Sequence, residues 1–518
     1  MNRRSLVEDL RASVKSHPDR TAVTDGSVTL TYAELDVLAD DVAAALRERG
    51  VRDGECVVWH GPKSSVAVAV IHGILRSGAG YVPLDPLAPF ARTEMVARQT
   101  RPAALVVSSA FRKVWQESDL SLTWYELPVA LGSEASAWIA VWDEPARAPI
   151  GDLSYVLHTS GSTGTPKGVV HTHASACAFV DWCVQELEMT EHDVVINSAP
   201  LHFDPTILHL FAVVRAGAAV ALMPESAAPF PAAYIDFCAQ VGGTIWYAVT
   251  STLMWLARHG TQLLPQLNGL RAAVVGGEVL QASDVNALLS AVPDIRLLNV
   301  YGPTESNVCT FHEIKGPQRE DVLIPIGKVL AGAEVIVVDE DLSQIAAGQT
   351  GQLLVRGSML MVGYLDPEQT ERYTVRTRDG RAWYATGDYV RENPQGELEF
   401  LGRRDTQIKV RGFRVELGEI ERQARAFSDV HSCAAVATPD AAFSNAITLF
   451  VTGSSHEELG SLPAHLSSRL PRYMLPQRIC YLPGELPALS NGKVDRRQLT
   501  ELAGRPTREL YDRVTLID

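Results

Sequence analysis

Residues 155–168 read Tyr155-Val-Leu-His-Thr-Ser-Gly-Ser-Thr-Gly-Thr-Pro-Lys-Gly168, an apolar strand that runs into a loop of hydroxyls, glycines and one lysine. Such a loop suits a polyphosphate. Its glycines let the backbone approach a bulky anion and take positive φ, while amides, hydroxyls and the Lys167 ammonium offer donors to phosphate oxygens. It is not a Walker A loop, because Pro166 precedes the lysine and Gly168 follows it, where that motif has glycine before and Ser or Thr after. For a short Gly/Ser run taken alone, a flexible turn is the plain alternative.

Outward from this loop, short apolar runs alternate with helical stretches. The runs are Cys56-Val-Val-Trp, Ala104-Leu-Val-Val, Val194-Val-Ile, Thr244-Ile-Trp-Tyr, Ala272-Ala-Val-Val and Arg296-Leu-Leu-Asn. This rhythm predicts an α/β fold with buried, mainly parallel strands. The first clear helix opens on Thr31-Tyr-Ala-Glu34, a capping box, carries apolar positions at Leu35, Leu38, Val42, Ala45 and Leu46, and ends at Gly50. Around residue 330 the pattern turns to strand and turn signals, with Glu334-Val-Ile-Val-Val, Gly351-Gln-Leu-Leu-Val and Gly396-Glu-Leu-Glu-Phe, so a β-rich subdomain is expected at about 325–402. A second boundary falls near Gly402-Arg-Arg-Asp405. Residues 1–402 then form a large N-terminal core of stacked α/β subdomains, and 403–518 a small α+β domain.

A chain of 518 residues exceeds a single core, and 46% apolar with 21% charged residues is the composition of an ordinary soluble protein. The net charge of −15, with no dense Lys/Arg run, argues against a nucleic-acid partner. The seven cysteines contain no C-x-x-C pair and read as reduced, buried thiols of a cytoplasmic protein. The N-terminus lacks the apolar core of a secretion signal, and the apolar stretch from Leu208 to Met223 is broken by His209 and Arg215, so no membrane span is expected.

The phosphate loop resembles that of the adenylate-forming enzymes, the superfamily of acyl-CoA synthetases, luciferases and the adenylation domains of nonribosomal peptide synthesis. Further motifs follow in that family's order. They are Leu30-Thr-Tyr-Ala-Glu-Leu35, Leu75-Arg-Ser-Gly-Ala-Gly-Tyr-Val-Pro-Leu-Asp85, Asn299-Val-Tyr-Gly-Pro-Thr-Glu305, Tyr384-Ala-Thr-Gly-Asp388, Gly402-Arg-Arg-Asp-Thr-Gln-Ile-Lys-Val-Arg-Gly412 with Phe413-Arg-Val-Glu-Leu-Gly-Glu-Ile-Glu421, Leu470-Pro-Arg-Tyr-Met-Leu-Pro476 and Asn491-Gly-Lys-Val-Asp-Arg496. The resemblance spans nearly the whole chain.

It implies ATP and Mg²⁺ as the nucleotide and metal. Thr159, Ser160, Gly161, Ser162, Thr163, Gly164 and Lys167 would form the phosphate loop, with Gly277, Glu278, Asn299 and Gly302 also at the nucleotide. Tyr301 would lie on adenine, Thr304 on the α-phosphate and Glu305 on Mg²⁺, while Asp388 would take the ribose hydroxyls and Arg403 the nucleotide. Asp405 would be a hinge about which the C-terminal domain turns, and Lys493 the mobile catalytic lysine that bridges substrate carboxylate and phosphate oxygens. His171, His173 and His202 have no metal-ligand spacing and read as structural or surface residues.

Phe203-Asp204-Pro-Thr206 resembles the motif in which amino-acid-activating members hold the substrate's ammonium with an aspartate. An Asp-Pro pair is also a good helix N-cap and N1, and both readings can hold at once. The family's pocket positions fall on Asp204, Pro205, Leu208, Tyr247 and Val274, then on Gly276, Val300, Val308, Cys309 and Lys493. Only the first and last of these are charged. With Asp204 committed to the ammonium and Lys493 to the carboxylate, a charged substrate side chain would be buried unpaired. A neutral, compact, apolar amino acid is expected. The set resembles that of L-proline-activating members at Tyr247 and Val308-Cys309 and departs from it at Pro205 and Gly276. Valine or another small amino acid is the alternative, because one methylene discriminates by only ~1–3 kcal/mol.

No phosphopantetheine attachment site follows the Lys493 motif, so the expected acceptor is the thiol of a separate holo peptidyl carrier protein. Free coenzyme A, with an acyl- or aryl-CoA synthetase activity, is the competing reading. The resemblance also allows a small activator protein as a partner.

Overall fold

The computed structural model describes residues 4–127, 137–161, 165–403, 407–440, 444–453, 457–488, 494–505 and 515–516. Contacts divide the chain into two compact units: Met1–Pro86, Ala97–His158 and Gly168–Arg404 in the first, and Leu87–Val96, Thr159–Lys167 and Asp405–Asp518 in the second.

The mixed α/β architecture of the first unit follows from its fully apolar strands, which have no polar face to show to water and must be covered on both sides. One sheet of nine strands runs in the order Lys328–Val329, Thr310–Ile314, Arg296–Tyr301, Ala272–Gly276, Ile245–Val249, Val194–Asn197, Ala219–Leu222, Thr21–Thr24 and Thr29–Thr31. Its centre is parallel, from Arg296–Tyr301 through to Thr21–Thr24, and only its edges are antiparallel. The helices Pro231–Gln240, Thr250–His259 and Ala282–Ala291 carry the chain between its parallel strands. A second sheet of eight strands holds Leu153–Thr159 and Lys167–Thr172, the two strands that flank the glycine-rich loop.

Helix Tyr32–Glu48 shows why the local signals were readable. The Thr31 hydroxyl accepts from the Glu34 amide at 3.2 Å while the Glu34 carboxylate accepts from the Thr31 amide at 2.8 Å, and Gly50 leaves the helix at φ +85°. A smaller antiparallel sheet follows, in which Ala333–Val338, Thr350–Gly357 and Ala382–Glu392 pair in turn, with Thr374–Arg376 and Leu398–Arg403 on the last of them.

In the second unit the hairpin of Gln407–Val410 and Phe413–Glu416 closes on Arg411 and Gly412, both at positive φ (+53° and +79°), the primed turn that matches strand twist. The helix Leu417–Arg425 follows, and packs on the sheet of Val430–Asp440, Ser444–Gly453, Arg478–Tyr481 and Thr515–Leu516. All seven cysteines are free and buried. Among the described residues no helix is long and apolar enough to cross a membrane.

Candidate active site

The strands Val194–Asn197, Ile245–Val249, Ala272–Gly276 and Arg296–Tyr301 are parallel, so their carboxyl ends share one edge of the sheet, where open α/β sheets bind ligands. Tyr247 lies beside Val274, and Gly276 beside Val300. Side chains alternate along a strand, so these four positions share one face. Tyr247, Val274 and Val300 pack with Leu208 and Val308 in a single apolar cluster. A Cβ on Gly276 would stand 2.4 Å from the Val300 carbonyl oxygen, so glycine is what permits this close approach. Leu208 opens a one-turn π-helix, Leu208–Ala212, four positions after Asp204, and Pro205 is buried at its entrance. Cys309 is fully buried. Burial pushes its thiol up to about 12, so it stays protonated and donates to the Tyr301 carbonyl at 3.5 Å.

Polar groups gather at the end of the Arg296–Tyr301 strand. The Thr304 hydroxyl donates to the Asp204 carboxylate at 2.6 Å. The Glu305 carboxylate is fully buried and accepts from the Tyr364 hydroxyl at 2.5 Å, while its carbonyl accepts from the Met361 amide at 2.7 Å. The turn that carries both is tight, since a Cβ on Gly302 would meet the Asn307 carbonyl oxygen at 2.4 Å. Asn299 is buried and donates from its side chain to the Pro325 carbonyl at 2.7 Å. Asp388 accepts from both the Tyr301 hydroxyl and the Arg403 guanidinium, and Arg403 also donates to the Thr386 carbonyl at 3.1 Å. Burial, with the Asp388 charge beside it, pushes the Tyr301 hydroxyl well above its usual range, so it is a donor at neutral pH. Gly277 takes φ +99° and is exposed, and the adjacent Glu278 accepts through its carbonyl from Thr250 at 3.1 Å.

In the second unit the Ser160 hydroxyl donates to the Arg414 carbonyl at 2.7 Å, and Lys167 is buried with its ammonium 3.9 Å from the Glu416 carboxylate. Thr159 is partly buried. Gly161 admits no side chain, because a Cβ there would sit 2.0 Å from the Thr165 carbonyl oxygen. Ser162, Thr163, Gly164, Asp405 and Lys493 lie outside the described residues.

The structure thus joins Tyr301, Asp388 and Arg403 in one cluster, Asp204 and Thr304 in one contact, and Leu208, Tyr247, Val274, Val300 and Val308 in one wall. Three residues to which the sequence assigned no site role belong with them, among them His171, read above as structural or surface and here fully buried. Tyr364 holds Glu305, Tyr155 pairs its hydroxyl with Asn307 at 3.1 Å, and His171 contacts the Thr304 carbonyl at 2.9 Å. None of these three carries a spacing signal, because each reaches across the fold to the loop after strand Arg296–Tyr301 and not along the local chain. The donor chemistry fits a magnesium nucleotide: hydroxyl and carboxylate oxygens at Thr304 and Glu305, the ligand type that hard cations take, and an aromatic ring with a carboxylate at Tyr301 and Asp388.

The model of the AMP-binding enzyme family matches residues 10–365. The L-proline–[L-prolyl-carrier protein] ligase of Pseudomonas fluorescens is 36% identical over 500 residues, which is 95% of this chain and 98% of that protein. The ligase of the same name from Streptomyces coelicolor is 32% identical over 518 residues, 96% of each chain. Among solved structures, holo-PA1221, an NRPS protein containing adenylation and PCP domains, superposes with a TM-score of 0.81 at 25% identity, covering 96% of this chain and 84% of that one. With a family match over most of its length and full-length relatives above 30% identity, the chain belongs to the AMP-binding enzyme family.

Proposed function

We propose that this chain is an ATP-dependent, AMP-forming ligase that converts L-proline to prolyl-AMP and then passes the prolyl group to the thiol of a phosphopantetheine arm on a separate carrier protein. The observation that supports this most is Asp204, a carboxylate oriented by the Thr304 hydroxyl beside a wall of apolar side chains. A carboxylate there is the partner a secondary ammonium needs, and the uncharged wall suits a compact ring with no charge of its own. The names of the two ligases above point the same way.

In the first half-reaction the substrate carboxylate attacks the α-phosphorus of ATP, the bond to the bridging oxygen breaks, and pyrophosphate leaves. Two anions must meet, so the reaction depends on positioning and on cations. Asp204 fixes the ammonium and so aims the carboxylate. Tyr301 and Asp388 hold adenine and ribose, with Arg403 orienting Asp388, while Gly277, Glu278, Asn299 and Gly302 shape the nucleotide's bed. The loop residues Thr159 to Gly164, with Lys167, hold phosphate oxygens, Thr304 directs its one hydroxyl proton to Asp204, and Lys493 neutralises charge that develops as the new bond forms. Mg²⁺, held through Glu305, would supply charge neutralisation on the phosphates. In the second half-reaction the carrier thiol attacks the acyl carbonyl and AMP leaves. The domain 403–518, hinged near Asp405, would exchange positions between the two steps.

Asp204→Ala tests the anchor. Its KM for L-proline should rise ~100-fold or more, the loss expected when a charged hydrogen bond goes unpaired in a partly buried site, with the KM for ATP changed less than about twofold. An unchanged proline KM removes the amine-anchor role. Proline with its amine replaced by a methylene should then serve as well as proline itself.

A further inference from the structure

His171 lies in the strand Lys167–Thr172 and is fully buried. Its Nε2 stands 2.9 Å from the Thr304 carbonyl oxygen, and a carbonyl only accepts, so Nε2 carries the ring proton. Nδ1 is then bare and faces the Ser175 hydroxyl at 3.1 Å. The ring stacks on Tyr155 with centroids 4.8 Å apart and planes 25° from parallel. Tyr155 in turn bonds Asn307, which holds the left-handed φ of +55° at the far end of the same turn. The two strands on either side of the glycine-rich loop therefore each send one side chain to the turn that carries Thr304. Burial pushes the imidazole down to about 4, so it stays neutral at any pH used for assay.

We propose that His171 is a positioning residue: by donating from Nε2 to the Thr304 carbonyl it fixes the Thr304 backbone, and through the Thr304 hydroxyl it sets the Asp204 carboxylate for the substrate's amino group. This rests on the reading of Asp204 as the amine anchor. The ring has no need to be a histidine for packing, since leucine fills a similar volume in an apolar setting without a donor to satisfy. Beside the local contact of Nδ1 with Ser175, the imidazole adds a hydrogen bond to a distant carbonyl, and that carbonyl belongs to the residue whose side chain grips Asp204. Losing it leaves a partly buried acceptor without that donor and lets the turn relax.

The test is a set of four single variants, Asp204→Ala among them, and one double, read by substrate-dependent pyrophosphate exchange with separate KM values for L-proline and ATP and by thermal melting. His171→Leu should raise the proline KM about 10-fold, the worth of one buried hydrogen bond, and leave the ATP KM within about twofold. His171→Gln, whose amide nitrogen reaches the place of Nε2, should recover most of the loss. His171→Asn, which reaches only as far as Nδ1, should not recover it even where its melting temperature matches that of His171→Gln. Added to Asp204→Ala, His171→Leu should raise the proline KM no further, since its effect runs through that carboxylate. A proline KM unchanged in His171→Leu, equal behaviour of the Gln and Asn variants, or full additivity with Asp204→Ala overturns the positioning role. No effect of Asp204→Ala by itself sinks the anchor reading and this inference with it. If His171→Leu fails to fold, the Gln and Asn pair still decides between the outcomes.

Discussion

At Thr304 one residue faces two ways: its carbonyl is held from the strand side and its hydroxyl holds Asp204. Asp388 has a comparable place, gripped by Tyr301 and Arg403 and almost fully buried. Removing it leaves a guanidinium and a hydroxyl without their shared partner, at about 3–5 kcal/mol for breaking one side of a buried ion pair. Asp388→Ala should therefore raise the ATP KM at least ~100-fold and leave the proline KM nearly unchanged, and steady-state kinetics with each substrate varied in turn will check it. Lys493→Ala has the opposite signature. It should cut kcat for adenylation by ~10²-fold or more while ATP binding, followed by calorimetry, persists, because the lysine's charge matters when negative charge develops. An equal fall in ATP affinity would remove Lys493 from that role.

Among the elements, those with strong local chemistry were legible in the sequence. The capping box at Thr31 and Glu34 formed as written, and the apolar runs from Cys56 to Arg296 became central parallel strands because nothing polar in them could face water. Thr31→Ala should cost about 1 kcal/mol and lower the melting temperature by about 1 °C without touching activity. The turn from Gly302 to Asn307 was legible only as a motif. Its tightness came from the structure, where Gly302→Ala would drive a Cβ into the Asn307 carbonyl and Val308 backbone. That variant should lose stability by about 1–3 kcal/mol and lose adenylation out of proportion to its stability, measured as exchange rate at a temperature where the fold persists. The contacts of His171, Tyr155 and Tyr364 escaped the sequence because each joins a side chain to a loop distant in the chain. His171 sits in a run, Val169-Val-His171, that reads simply as a buried strand. The π-turn Leu208–Ala212 escaped for a related reason: an apolar stretch does not tell its helix type until it packs.

Taken as a molecule, the first unit buries four histidines whose imidazoles are pushed down mainly by loss of water: His60, His72 and His209 to about 3 and His171 to about 4. In the unfolded chain each titrates near 6.5. The folded values lie below the unfolded ones, so the unfolded state binds more protons as pH falls; the stability is complete above about 6.5 and is lost towards pH 3–4 at roughly 1.4 kcal/mol per pH unit for each histidine. Asp9, whose carboxyl burial raises, works the other way and alone does not offset four. Denaturation midpoints should fall steeply between pH 7 and pH 5, and a flat profile would mean that these rings are hydrated. The two units, the apolar wall and the Asp204 contact all serve one claim, that this chain adenylates an amino acid with a compact uncharged side chain. The measurement that bears on it most directly is exchange of labelled pyrophosphate into ATP with the protein and, one at a time, the proteinogenic amino acids, pipecolate and the matched acids lacking an amine. A dominant signal with L-proline is the expected result. A signal carried by the acids lacking an amine, with none from any amino acid, would contradict it.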